Sequence, residues 1–212
     1  MQQRTMTAVM SALFASAAAC SSTDHSIRGF EEPPRNAFAY PSQAYSGPVT
    51  VQARFYTNHE EIFGDDLIDE YGLVPIALRI GLDREDAMGR AKIFPADMKL
   101  RLYLQDGSVL SAVDALQATE DDEEVHNRVR DESLKADLLV PFERSSEGMV
   151  YFRADAPDAL TWTDATVASS TARKLRRTID LAHSLCAFEV TIGLEQVSLF
   201  VGLDVRSRSQ PR

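Results

Sequence analysis

A chain of 212 residues, 44% of them hydrophobic and 25% charged, is long enough for one domain with a substantial core or two very small ones. Its formal net charge of −10 argues against general nucleic-acid binding, which needs clustered Lys and Arg against the phosphate backbone. Past the N-terminus the apolar runs, such as VPIALRIGL and VSLFVGLDV, fall far short of the roughly 20 residues of a membrane-spanning helix.

The first element is MQQRTMTAVMSALFASAAAC. Arg4 and the free amine make a weakly positive start, residues 5–16 carry no charge, and Ala17, Ala18 and Ala19 lead directly into Cys20. A short apolar stretch ending in small residues reads as a secretory signal, because small side chains fit the narrow groove of the processing protease. The stretch resembles the lipobox of bacterial lipoprotein precursors, in which the Cys is acylated and the chain is cut just before it. Ala19 and Cys20 match that pattern at its two strictest positions; Ala17 departs from it, since Leu is usual there. The resemblance implies a signal peptide over 1–19 and a membrane anchor at Cys20. With Ser21, not Asp, after the Cys, it implies an outer-membrane location facing the periplasm. Burial of acyl chains at about 0.8 kcal/mol per methylene would hold the protein without help from a folded domain. Two alternatives stand beside it: an ordinary secretory cut at the same bond, since Ala17 to Ala19 also satisfies the A-x-A rule, and a retained N-terminal segment.

Cysteine usage bears on this choice. The chain has two cysteines. If Cys20 carries lipid, Cys186, set among apolar residues in HSLCAFEV, is expected to be a small buried hydrophobe. A Cys20–Cys186 disulfide is the alternative.

Residues 20–47 are predicted to be a flexible tether, rich in Ser, Pro, Glu, Asn and Gln and without sustained periodicity. Phe30, Phe38, Tyr40 and Tyr45 are unusual for a spacer, and some of them are expected to dock on the domain.

The domain is predicted over 48–207. In VTVQARFY, Val49, Val51, Ala53 and Phe55 share one face and Thr50, Gln52, Arg54 and Tyr56 the other, the period of a strand. TNHEEIFG reads as one short helix with capping pairs Thr57/Glu60 and Asn58/Glu61, ended by Gly64. Ile76, Leu78, Ile80 and Leu82 alternate in the next strand, and RAKIF is a short one. Met98, Leu100, Leu102 and Leu104 alternate in another, and Asp106-Gly107 signals a hairpin. From about 111 to 135 the chain is polar and helix-permissive, with EDDEE at 120–124 and a weak stripe of Val125 and Val129. DLLVPFE then places Leu138, Val140 and Phe142 on one side of a strand, and EGMVYFRA reads as a strand buried on both faces. LTWTDATV is a further strand. Residues 169–186 read as an amphipathic helix with Leu175, Ile179, Ala182 and Cys186 in its stripe. FEVTIGL and VSLFVGLDV close the domain as a hairpin.

These short strands at even spacing predict a mainly antiparallel β-sandwich with helical insertions near 111–135 and 169–186. VQARFYTNHEEIFGDDLIDEYGLVPIALRI and SSEGMVYF resemble uncharacterised bacterial lipoproteins whose domain is an immunoglobulin-like sandwich. That resemblance implies the fold and carries over no catalytic residue.

The search for chemistry finds little. None of His25, His59, His126 and His183 forms HExxH or another fixed-spacing ligand pair, and no nucleophile elbow, P-loop or dinucleotide fingerprint is present. No catalytic residue, metal site or cofactor is therefore assigned. His126 is expected to be solvated and His183 structural. The acidic loop GDDLIDEY, with Asp65, Asp66 and Asp69, is a candidate for carboxylate acid–base work, against helix capping and solvation. The basic cluster Arg173, Lys174, Arg176 and Arg177 is a candidate contact with an anionic surface, against a solvated helix face. Three functions follow as expectations: a lipid-anchored, non-catalytic domain that binds an envelope protein or cell-wall component; an envelope hydrolase in which the aspartates meet a His in a pocket; and an electrostatic adaptor using residues 173–177.

Overall fold

The computed structural model describes residues 40–83, 92–105, 107–153, 160–162, 177–179, 181, 184–192 and 195–208. In chain order the elements are β1 (Gln43–Ser46), β2 (Val49–Tyr56), α1 (His59–Phe63), α2 (Leu67–Tyr71), β3 (Leu73–Leu82) and β4 (Lys92–Ile93). Then come β5 (Lys99–Tyr103), β6 (Val109–Val113), α3 (Ala115–Ala118), α4 (Glu123–Glu132), β7 (Asp137–Leu138) and β8 (Glu147–Arg153). The last are β9 (Leu160–Trp162), β10 (Arg177–Ile179), β11 (Leu185–Ile192) and β12 (Glu195–Arg206).

The mainly β character expected from the sequence holds, but one sheet curls until its ends meet. Its strands run β2–β12–β11–β5–β6–β8–β3, and β3 pairs back onto β2, closing a seven-stranded barrel. The expected antiparallel sandwich of two sheets is thus replaced by a closed, mixed sheet. Its parallel pair is β2–β12, with Leu203 opposite Ala53 and Arg206 opposite Tyr56. Closure removes the exposed edges that an open sheet must otherwise protect.

β1 fills a gap in this wall. It pairs with the first half of β2, Gln43 opposite Gln52 and Ser46 opposite Val49, while β12 takes the second half of the same edge. The Gly202 N–H donates to the Pro41 carbonyl at 2.9 Å, tying the start of β1 to β12 as well. The packed chain therefore begins before residue 48, inside the stretch read as tether. Of the tether aromatics, Tyr40 stands edge-on to Phe200 at 5.7 Å, as docking required, and Tyr45 lies in β1; Phe30 and Phe38 lie outside the described residues.

Alternation decides which side chains fill the barrel. Val49, Val51, Ala53 and Phe55 of β2 point inward with Ile76, Leu78, Ile80 and Leu82 of β3, Val150 and Phe152 of β8, and Phe188 and Val190 of β11. Each such large apolar side chain contributes about 1.5–3 kcal/mol relative to leaving it in water. A second layer lies outside the wall. Ala77 of β3 and Met149 and Tyr151 of β8 face outward and are covered by Phe63 of α1, Ala115 of α3, and Val125 and Val129 of α4. This is why EGMVYFRA is apolar on both faces. The β5–β6 hairpin turns through Gly107 at φ +85°, a conformation costly for any side chain with a Cβ.

Three readings change. Residues 169–186 are not one helix: Arg177–Ile179 pairs in parallel with Leu160–Trp162, and Cys186 belongs to β11. The helical stripe lost to sheet pairing, since β11 bonds to β12 along its length and to β5 over Leu185–Glu189. Leu138 is 43% exposed, and it is Leu139 that is buried, because only Asp137 and Leu138 are extended before the chain turns. His126 is half-buried with its Nδ1 out of contact with water, on a helix that packs against the barrel.

Candidate functional site

The acidic loop is built by helix capping. The Asp66 Oδ1 accepts from the Ile68 and Asp69 N–H groups at 3.0 and 3.1 Å, capping α2, and Asp65 Oδ1 accepts from the Asp66 N–H at 2.8 Å. Asp69 lies in the exposed first turn of α2, where a negative charge favours the helix dipole. Of the capping pairs expected for α1, Asn58 and Glu61 meet side chain to side chain at 3.0 Å, and Gly64 ends the helix at φ +81°.

The structure does bring a histidine near these aspartates. His59, the first residue of α1, is fully buried, with its ring 5.5 Å from Phe55 of the barrel interior. Burial pushes its pKa down, against the charges of Asp66 and Asp69, which pull it up. Glu60 shifts upward, first from partial burial and then from the neighbouring Asp66. The imidazole is thus packed against the barrel, while the Asp66 Oδ1 is held by the α2 backbone N–H groups. Among the described residues no three of His, Cys, Asp and Glu gather to hold a metal ion.

Of the basic cluster, Arg177 opens β10, so the helical face expected to carry all four charges is broken there; Arg173, Lys174 and Arg176 lie outside the described residues. Cys20 does too. Cys186 is a free thiol buried in the barrel wall, and burial pushes its pKa up to about 12.

Two polar regions were not foreseen. On the outer face of β2, the Arg54 guanidinium binds the carboxylate of Glu147 and the side-chain oxygen of Gln52, with Asp204 at 3.6 Å. The Tyr56 hydroxyl donates to the same Glu147. Arg208 extends the network, pairing with Glu132 at 2.7 Å and stacking over the Tyr56 ring at 5.7 Å. Cations and carboxylates match three to three, Arg54, Arg206 and Arg208 against Glu132, Glu147 and Asp204. The network thus neutralises itself and stitches β2, β8, β12 and α4 together.

The other region is a groove at one end of the barrel. After α4 the chain crosses that end as a strap, residues 133–146. It is seated by backbone bonds from the Leu134 N–H to the Met149 carbonyl at 2.8 Å and from the Leu82 N–H to the Val140 carbonyl at 2.9 Å. Arg79 fastens its far side, donating to the Ser145 Oγ at 3.1 Å and lying over the Phe142 ring at 4.8 Å. Two glycines let the strap sit this close. A Cβ at Gly148 would lie 2.4 Å from the Leu134 Cα, and one at Gly81 would lie 2.5 Å from the Phe142 Cα. Between strap and barrel end is a cavity of about 180 Å³, lined by Ile80, Ile93, Leu134, Leu138, Leu139 and Val140 and by the polar Lys135, Asp137, Arg144, Ser145 and Ser146. The sequence signal for it was the pair of strand glycines in RIGL and SEGMV, which mark close backbone approach.

No helix among the described residues is long and apolar enough to cross a membrane. Comparison with protein families, curated proteins and solved structures finds no match to this chain.

Proposed function

We propose that the chain is a bacterial envelope lipoprotein, held by acylated Cys20 and facing the periplasm from the outer membrane, whose barrel is a non-catalytic binding or structural domain. The observation that carries this reading is the run Ala17-Ala18-Ala19-Cys20 behind an uncharged apolar stretch. The position of the second cysteine supports it: Cys186 is buried in the barrel wall, as expected of the second cysteine if Cys20 carries lipid. The non-catalytic part is supported by what the candidate carboxylates do, since Asp65 and Asp66 each hold backbone N–H groups through Oδ1. The partner is an envelope protein or a cell-wall component met by the barrel at a short distance from the membrane.

The test is the intact mass of the protein in the membrane fraction, beside a Cys20→Ala variant. A mass that begins at Cys20 with acyl groups added, and a variant that leaves the membrane, are the expected results. An unmodified chain in the soluble fraction overturns the anchor.

A further inference from the structure

We infer that β1 is an exchangeable arm, and that two copies of this chain associate by trading it, each β1 completing the wall of the other barrel. The wall has a slot for it. β12 pairs with β2 over residues 53–56, and β1 takes residues 49–52 of the same edge. Without β1 two sheet edges would stand open, and an open edge pairs with a strand that is offered to it. The strand that fits is β1 itself. It brings the fully buried Ala44 into the barrel core, follows Tyr40 edge-on to Phe200, and is led in by the bond from the Gly202 N–H to the Pro41 carbonyl. A second copy offers the same strand, so each of these contacts is made again across the pair. The stake of β1 in the apolar core is Ala44, a single methyl, so the arm leaves its slot more readily than a strand carrying several large side chains.

The hinge sets the balance, because it is the part that differs between a closed and an exchanged chain. Closed, β1 turns into β2 through Gly47 and Pro48, with Ser46 opposite Val49. The far side of this turn is fixed: the Pro48 carbonyl accepts the Asp83 N–H at 2.8 Å, and Val49 is fully buried opposite Leu82 of β3. The change is thus confined to Gly47. The closed turn holds it at φ +55°. A residue before proline is pushed toward extended backbone, and an extended Gly47 runs β1 straight on from β2, out of its own slot and toward a neighbour's. The turn also stands clear of the barrel, since a Cβ at Gly47 would meet nothing within 4 Å. A short hinge held against its local preference invites exchange.

Exchange is independent of the anchor, so it is tested on the full-length Cys20→Ala chain, where failure of the arm cannot be mistaken for failure of lipidation. Gln43 and Gln52 face each other across β1 and β2. With Gln43→Cys and Gln52→Cys added, a closed chain forms its disulfide internally, and exchanged chains form the same disulfide between two copies. The protein is unfolded under reducing conditions, refolded at low and at high concentration, oxidised, and run on a non-reducing gel. Internal disulfides at low concentration and a disulfide-linked dimer at high concentration are expected, with Pro48→Ala lowering the dimer severalfold. The Cys20→Ala chain without the added cysteines, sized in parallel, should show the same concentration-dependent dimer. Thr191→Cys with Gln196→Cys, a pair facing across β11 and β12, is the control and should stay internal throughout. Internal disulfides at every concentration, linked dimers from the control pair as well, or a dimer undiminished by Pro48→Ala would each overturn the assignment.

Discussion

Gly148→Ala isolates the seat of the strap. Gly148 lies in β8 and its φ is not in the left-handed region, so the backbone itself would accept alanine. By chain entropy alone the substitution would stabilise the protein by about 0.4–1 kcal/mol. The space decides otherwise. The new methyl would sit 2.4 Å from the Leu134 Cα and 2.8 Å from its N. Both are backbone atoms, so no side-chain rotation relieves the contact. Relief requires Leu134 to lift away, which strains or breaks the 2.8 Å bond from its N–H to the Met149 carbonyl. Overpacking of this kind costs about 1–3 kcal/mol, and a net backbone hydrogen bond about 1 kcal/mol. After the entropic gain is subtracted, a loss of about 1–3.5 kcal/mol is expected. Equilibrium urea unfolding should show the midpoint falling with the slope unchanged. In a thermal scan the same loss corresponds to a fall of about 2–14 °C for a domain of this size. An unchanged or raised midpoint would show that the strap does not lie on Gly148, and the groove beneath it would go with it.

Other outcomes follow from the same structure. His59 has a folded pKa lowered chiefly by burial, so below its unfolded value of about 6.5 the unfolded chain binds the extra proton and stability falls as pH drops. Glu60 works in the opposite sense, its raised pKa favouring the folded state at low pH, but that side chain is exposed and its effect is small. Urea midpoints between pH 7.5 and 5 should therefore fall for the parent and flatten in His59→Gln; parallel curves would refute the assignment. For the outer network, a double-mutant cycle on Arg54→Ala and Glu147→Gln should give a coupling of about 1 kcal/mol or more, since both groups are largely buried; additivity would place the pair among inert surface bridges. Cys186 should resist a maleimide in native buffer and react in full once urea unfolds the barrel; fast native labelling would contradict its position in the wall.

Period-two alternation made the strands legible one at a time, down to the inward set of Val49, Val51, Ala53 and Phe55 and the doubly buried 148–152. It could not show closure. The parallel pair that joins Ala53–Tyr56 to Leu203–Arg206 links segments 150 residues apart, and no local signal names a partner at that distance. The same limit explains the lost helix. Leu175, Ile179, Ala182 and Cys186 satisfy a helical stripe taken alone, yet Cys186 has β5 and β12 available on both sides, and two ladders outweigh a helical preference. The acidic loop shows the converse. Asp66 was open to either reading, reagent or cap, while its neighbours were unknown; with the Ile68 and Asp69 N–H groups on its Oδ1 it caps α2, and Asp65 accepts from the Asp66 N–H. The groove lies between these cases. Its residues come from β3, β4 and the strap, and what joins them is the absence of a Cβ at Gly81 and Gly148. Those two strand glycines were visible from the start, and each marked a place where a second piece of backbone had to fit.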